Sequence, residues 1–83
     1  MTREDDLVMA VAEEVMRYLA QHPEAADSAE GIQRWWLAAR HIEEPLDRVR
    51  RALDALVQKG VLVRKALPDG STVFGAEGRA RRR

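Results

Sequence analysis

The sequence predicts an α+β fold in which a three-helix bundle is closed by a C-terminal two-stranded β-hairpin. Up to Lys59, apolar residues recur at helical spacing in three successive segments. After Gly60 the pattern changes to β-branched and apolar residues, which favour strands. Two such runs flank Leu67-Pro68-Asp69-Gly70, which is typical of a tight turn. The 83 residues, 46% of them hydrophobic and 34% charged, suit one small folded domain.

The first helix is predicted from Glu4 to Gln21. Its apolar face comprises Leu7, Val8, Val11, Ala12, Val15, Tyr18 and Leu19. His22-Pro23 ends the helix, because the residue before proline avoids the helical region. Met9 and Met16 lie just outside this face, so they either pad the edge of the core or mark a surface for self-association.

A second, short helix is predicted to start near Asp27-Ser28. Asp27 and Glu30 have the spacing of an N-cap and its reciprocal acid. Ile32, Trp35 and Trp36 stand at positions i, i+3 and i+4, so both indoles should face the same way. We expect both to fill the core; the alternative is that one indole stays partly exposed as an interface anchor.

Residues 38–43 are predicted to form the turn into a third helix from Glu44 to Lys59. Pro45 suits the first helical turn, and Gly60 suits a left-handed C-cap. The apolar arc of this helix is Leu46, Val49, Ala52, Leu53, Leu56 and Val57. Strands are predicted over residues 61–67 and 71–74.

This order of elements resembles the winged helix-turn-helix family. The most specific part is Val49 to Leu62, which is similar to that family's third helix running into the first wing strand. Leu67 to Phe74 is similar to its wing tip followed by a returning strand with an aromatic residue. With the first helix, the resemblance covers about 70 of the 83 residues. The connection from Trp36 to Pro45 is longer than the family's tight turn. We therefore expect a small winged-helix domain over residues 1–75.

The resemblance implies a DNA-binding, transcription-regulator-like module. Its third helix would enter the major groove of double-stranded DNA, and its wing would touch a phosphate or the minor groove. Candidate contacts on the third helix are Arg48, Arg50, Arg51, Gln58 and Lys59. Candidate contacts on the wing and flanks are Arg34, Arg40, Arg64 and Lys65. Residues 76–83 are expected to form a flexible basic tail, in which Arg79, Arg81, Arg82 and Arg83 add non-specific phosphate affinity.

The charge distribution keeps a second function open. Net charge is zero, although residues 1–33 hold 8 acids and 2 bases while residues 34–83 hold 12 bases and 6 acids. Each arginine of the third helix has an acid at pairing distance: Glu44 with Arg48, Asp47 with Arg51, and Arg50 with Asp54. Glu43, Glu44 and Asp47 crowd the start of this helix and would repel DNA. The alternative is a protein-interaction or dimerisation module without DNA binding, using Met9, Met16, Trp35 and Trp36.

Other functions are disfavoured by what the sequence lacks. There is no cysteine, and His22 and His41 are isolated, so we expect no metal site and no cofactor. No nucleophile–base arrangement or glycine-rich phosphate loop occurs, so we expect neither enzymatic activity nor a small-molecule substrate. No apolar run is long enough for a membrane span, and the start does not resemble a signal peptide, so we expect a cytoplasmic protein.

Overall fold

Helical segments and a three-stranded antiparallel sheet make up the part of the chain that the structure, a computed structural model, describes: residues 2–76. In chain order the elements are α1 (Arg3–Gln21), β1 (Ala26–Asp27), α2 (Ala29–Gly31), a π-helical turn (Ile32–Trp36), a 3-10 turn (Ala38–Arg40), α3 (Leu46–Gln58), β2 (Leu62–Ala66) and β3 (Thr72–Ala76). The predicted α+β class is confirmed. No helix within residues 2–76 is long and apolar enough to span a membrane.

Helix α1 begins with a reciprocal cap. The backbone N–H of Asp5 donates to the Thr2 hydroxyl at 3.1 Å, and the backbone N–H of Thr2 donates to the Asp5 carboxylate at 3.2 Å. The helix ends at Gln21, directly before His22-Pro23, as predicted. Its fully buried face is formed by Val11, Ala12, Val15 and Leu19.

The cap of α2 is one residue later than the sequence pattern predicts. The Ser28 hydroxyl accepts from the backbone N–H of Gly31 at 3.0 Å, so Ser28 is the N-cap and the assignment to Asp27 is wrong. The Asp27 carboxylate instead accepts from the backbone N–H of Ser28 at 2.8 Å. Because Asp27 belongs to strand β1, its backbone is committed to the sheet before the helix starts.

The two adjacent tryptophans face opposite ways, so the expectation that both fill the core is wrong. After α2 the chain makes an i→i+5 turn, in which the Leu37 N–H donates to the Ile32 carbonyl at 3.1 Å. This wider turn brings Trp36 and Leu37 onto the face of Ile32 and rotates Trp35 outward. Trp36 is 3% exposed and stacks on Tyr18 at 4.7 Å between ring centroids, whereas Trp35 is 64% exposed.

The connection into α3 is held by two local features. His41 takes the left-handed conformation, with φ 61° and ψ 38°. The side-chain amide of Gln33 donates to the Glu44 carbonyl at 2.8 Å, which ties the connection to the π-helical turn. Helix α3 begins at Leu46, so the predicted start at Glu44 is two residues too early; Pro45 has an extended backbone and lies at the N-cap position, not in the first helical turn. Helix α3 buries Val49, Ala52, Leu53 and Leu56, all members of the predicted apolar arc.

The two strongest turn predictions are confirmed by the backbone. Gly60 ends α3 with φ 80°, and Gly70 turns the hairpin with φ 90°, values that residues with a Cβ rarely adopt. The Asp69 carboxylate accepts from both the backbone N–H and the hydroxyl of Ser71, which closes the hairpin tip. Those two bonds lower the pKa of Asp69.

The sheet has three strands in the order β1-β3-β2, so the prediction of a two-stranded hairpin is wrong by one strand. The third strand is β1, which pairs Ala26 with Gly75 and Asp27 with Phe74. A two-residue strand is too short to show alternation, so only its partner strand identifies it. The pairing continues to Ala76, the first residue of the predicted tail, which lies opposite Leu62.

Candidate nucleic-acid interface

The predicted interface is the outward face of α3 together with strand β2 beside it. Four charged side chains of α3 are more than half exposed: Asp47 (82%), Asp54 (59%), Arg51 (57%) and Arg50 (56%). Arg64 of β2 donates to the carboxylate of Asp54, which joins the hairpin to the helix. The face therefore carries both signs of charge in alternation.

Arg48 is the least available of the predicted DNA contacts. Its guanidinium donates to both carboxylate oxygens of Glu4 at 3.0 Å and to Glu44 at 2.7 Å, and its side chain is only 21% exposed. These bonds raise the pKa of Arg48 further above its ordinary value, and the bond from Arg48 lowers the pKa of Glu4. The predicted pair with Glu44 is confirmed. Because Glu4 lies on α1, Arg48 joins the starts of two helices.

Arg51 and Arg50 are paired more loosely. Arg51 lies 3.5 Å from Asp47, as predicted, and 3.7 Å from Glu4. The predicted pair of Arg50 with Asp54 is wrong, because Arg50 contacts Glu30 of α2 at 3.1 Å and Asp54 is engaged by the hairpin. The carboxylate that pairs with Arg50 therefore comes from another helix, and Asp54 pairs with a residue of the hairpin.

The remaining cations of this face come from the end of α3 and from β2. The guanidinium carbon of Arg64 lies 5.7 Å from the centre of the Phe74 ring, within range of a cation–π contact. Gln58, Lys59 and Lys65 are exposed. Within residues 2–76, neither Lys59 nor Lys65 forms an ion pair. No carboxylate of the described residues competes with a polyanion for these two ammonium groups.

The two predicted flanking arginines differ from each other. Arg40 donates to Glu14 of α1, and Arg17 donates to the same carboxylate at 2.7 Å, so Arg40 joins the 3-10 turn to α1. Arg34 is exposed and has no ion pair with the described residues. The predicted tail arginines, Arg79, Arg81, Arg82 and Arg83, lie outside the described residues.

An open cleft lies between the start of α2, the side of α3 and the hairpin. Its volume is about 400 Å³, and its charged lining is Glu30, Arg50, Asp54 and Arg64. The hydroxyls of Ser71 and Thr72 complete one wall. The sequence predicts the two arginines as candidate DNA contacts but does not predict the cleft, because Glu30 is far from Arg50 along the chain. No repeated spacing in the sequence signals that contact.

A separate set of exposed apolar side chains corresponds to the predicted protein interface. Met9 is 38% exposed and Met16 is 43% exposed, one helical heptad apart on α1. Trp35 is the most exposed of them, whereas Trp36 is in the core and is removed from the interface set. No group of three or more potential metal ligands lies together within residues 2–76.

Compared with models of known protein families, with curated proteins and with solved structures, the chain shows no match. The family resemblance therefore stays a prediction.

Proposed function

We propose that the chain is a winged-helix domain that binds double-stranded DNA, as a small transcription-regulator-like module, through the exposed face of α3 and the β2–β3 hairpin. The order helix, short strand, short helix, long helix and hairpin supports the proposal. So does the pairing of β1 with β3, which attaches the hairpin to the helices as a wing would be attached.

The observation that carries the proposal is the position of the cations. Arg50 and Arg51 project from α3, and Arg64 projects from β2 towards Asp54 of the same helix. Lys65 is the next residue of the strand, so its side chain points to the other face of the hairpin. Side chains from a helix and an adjacent hairpin can reach a duplex groove and its flanking phosphates together. Arg48 and Arg40 act in this proposal as links between helices, because acids of α1 already hold them.

The acids on this face do not prevent binding. An exposed ion pair contributes about 0–1 kcal/mol, because water screens both charges. Exchanging the carboxylate partner of Arg50 or Arg51 for a phosphate therefore requires little free energy, and it releases counter-ions from the DNA. The resulting affinity should be modest and strongly dependent on salt.

The test is a fluorescence-anisotropy titration of a labelled duplex at 50 and 200 mM salt. Three phosphate contacts give a slope of log K against log salt of about −2.7, so binding should weaken by about 40-fold between these conditions. The contacts counted are Arg50, Arg51 and Arg64. Replacing Arg51 with alanine should weaken binding and reduce the slope by about 1.

Arg17→Ala is the matched control. Arg17 is 58% exposed and Arg51 is 57% exposed, so both variants remove one exposed positive charge, but Arg17 lies on α1. The proposal predicts that Arg17→Ala changes the affinity much less than Arg51→Ala does. No binding by the full chain at tens of micromolar and 50 mM salt would contradict the proposal.

A second candidate function, a protein-interaction or dimerisation module, is favoured by the exposure of Trp35. A large aromatic side chain that is 64% exposed is a typical interface anchor. If this surface or the Met9–Met16 face mediates self-association, the mass in solution is that of a dimer. Trp35→Ala, Met9→Lys or Met16→Lys then returns it to the monomer value, as measured by light scattering. A monomeric mass at high concentration would contradict the dimerisation form of this candidate.

A further inference from the structure

We infer that Glu30 and Asp54 are built-in counter-ions that occupy the phosphate-binding arginines of the cleft and thereby limit the affinity of the chain for DNA. The inference rests on the proposed function and concerns its regulation. It assigns a role to the cleft formed by α2, α3 and the hairpin, which the sequence pattern does not reveal.

The geometry of the cleft is that of an anion site filled by the chain's own carboxylates. Arg50 enters it from α3 and is held by Glu30 of α2 at 3.1 Å. Arg64 enters it from β2 and is held by Asp54 of α3. Each guanidinium therefore meets a carboxylate from a different element, and the charged lining sums to zero.

A phosphodiester group and a carboxylate compete for the same donors. A carboxylate is planar and a phosphodiester is tetrahedral, but each has two oxygens that can accept paired N–H bonds from a guanidinium. Thr72 on the cleft wall carries a hydroxyl of the kind that contacts DNA phosphates, whereas the Ser71 hydroxyl already donates to Asp69. A DNA phosphate that binds either arginine in the cleft competes with Glu30 or Asp54 for the N–H donors, and the carboxylate beside it repels the phosphate.

All four charged side chains are exposed enough to exchange partners. Arg50 and Glu30 are 56% and 55% exposed, and Arg64 and Asp54 are 48% and 59% exposed. Arg48 is different, because three charge-assisted bonds hold it at 21% exposure. The two cleft pairs can therefore open without loosening the packing of α1 against α3.

The experiment is to neutralise the acids with near-isosteric amides, Glu30→Gln and Asp54→Asn, singly and together, in the full chain. The probe is the same labelled duplex at 50 mM salt. A unit charge at contact distance in water changes a binding constant by about fivefold. Each single variant should therefore bind about fivefold tighter than the wild type, and the double variant tighter than either, by at most about 25-fold, because the two acids line one cleft and their effects need not add.

Glu13→Gln is the matched control, because Glu13 is an exposed acid on α1 and does not line the cleft. A less than twofold change is expected for it. Equal gains for Glu13→Gln and the cleft variants would overturn the inference, since net charge alone would then explain them. Circular dichroism and thermal unfolding of each variant check that the fold is retained.

The outcomes separate this inference from the proposed function. If the wild type binds and neither cleft variant binds more tightly, the inference is wrong and the proposed function stands. If only the double variant binds, the counter-ion role is upheld and the proposed function of the unmodified chain is contradicted. If no form binds, both are wrong.

Discussion

Replacing Gly31 with alanine tests the junction between β1 and α2. Gly31 has helical dihedral angles, φ −66° and ψ −40°, so alanine should stabilise the helix by about 1 kcal/mol if nothing else changed. A Cβ at this position, however, would lie 2.0 Å from the Asp27 Oδ1 atom and 2.2 Å from Asp27 Cγ. The Asp27 carboxylate must therefore rotate away, and it loses the 2.8 Å hydrogen bond from the Ser28 N–H.

The expected sign follows from comparing the two effects. A hydrogen bond to a charged acceptor contributes about 1.5–3 kcal/mol, which exceeds the helix-propensity gain. We therefore expect Gly31→Ala to lower the free energy of unfolding by about 0.5–2 kcal/mol, because the lost bond outweighs that gain. In a domain of this size, each kcal/mol corresponds to about 4–8 °C in melting temperature.

A double-mutant cycle isolates the cause. In an Asp27→Ala background the obstructing carboxylate is gone, so Gly31→Ala should stabilise the protein by about 1 kcal/mol. In an Asp27→Asn background the obstruction remains, but the lost bond is to a neutral acceptor and contributes about 0.5–1.5 kcal/mol, so the two effects should nearly cancel. Urea unfolding followed by far-UV circular dichroism measures all of these variants. A stabilising effect of Gly31→Ala in the wild type, or the same sign in the Asp27→Ala background, would refute this reasoning.

Three other predictions test the fold. Trp36→Ala should lower the free energy of unfolding in urea by about 3–5 kcal/mol, and Trp35→Ala should lower it by at most about 0.5 kcal/mol. Acrylamide should quench the emission of Trp35, measured in Trp36→Phe, more than the emission of Trp36, measured in Trp35→Phe. The hydrogen bond from Arg48 lowers the pKa of Glu4 in the folded state, so the ionised carboxylate stabilises the fold above the ordinary glutamate pKa of 4.5. This stabilisation is lost as the pH falls below that value. The melting temperature of Glu4→Gln should therefore fall less steeply than that of the wild type between pH 5 and pH 3. His41→Gly should stabilise by up to about 1 kcal/mol in the same urea assay and His41→Val should destabilise, because only glycine adopts left-handed angles without cost.

The helices, the hairpin and most of their ends could be predicted because the signals are local, although the starts of α2 and α3 lie one and two residues later than the pattern predicts. Pro23 and Pro45 restrict the backbone beside them, and Gly60 and Gly70 adopt positive φ values where the chain must turn. The buried faces of α1 and α3 follow from residues three and four positions apart. Neighbouring residues are enough to specify such features.

The candidate site could be predicted only in part. Its cations were identified by residue type and position, and the Glu44–Arg48 and Asp47–Arg51 pairs follow from helical spacing. The partners of Arg50 and Arg64 do not follow in this way, because α2 and α3 supply the acids across the fold.

Local chemistry was therefore sufficient to specify where this chain forms helices and a hairpin and which residues carry charge. Long-range packing decided the third strand and the acids that face the cleft arginines. The burial of Trp36 and the exposure of Trp35 follow from an i→i+5 turn that the apolar spacing does not indicate. The physical reason is that periodicity reports only the direction of a side chain along its own element. Which group meets that side chain depends on how the elements pack against one another.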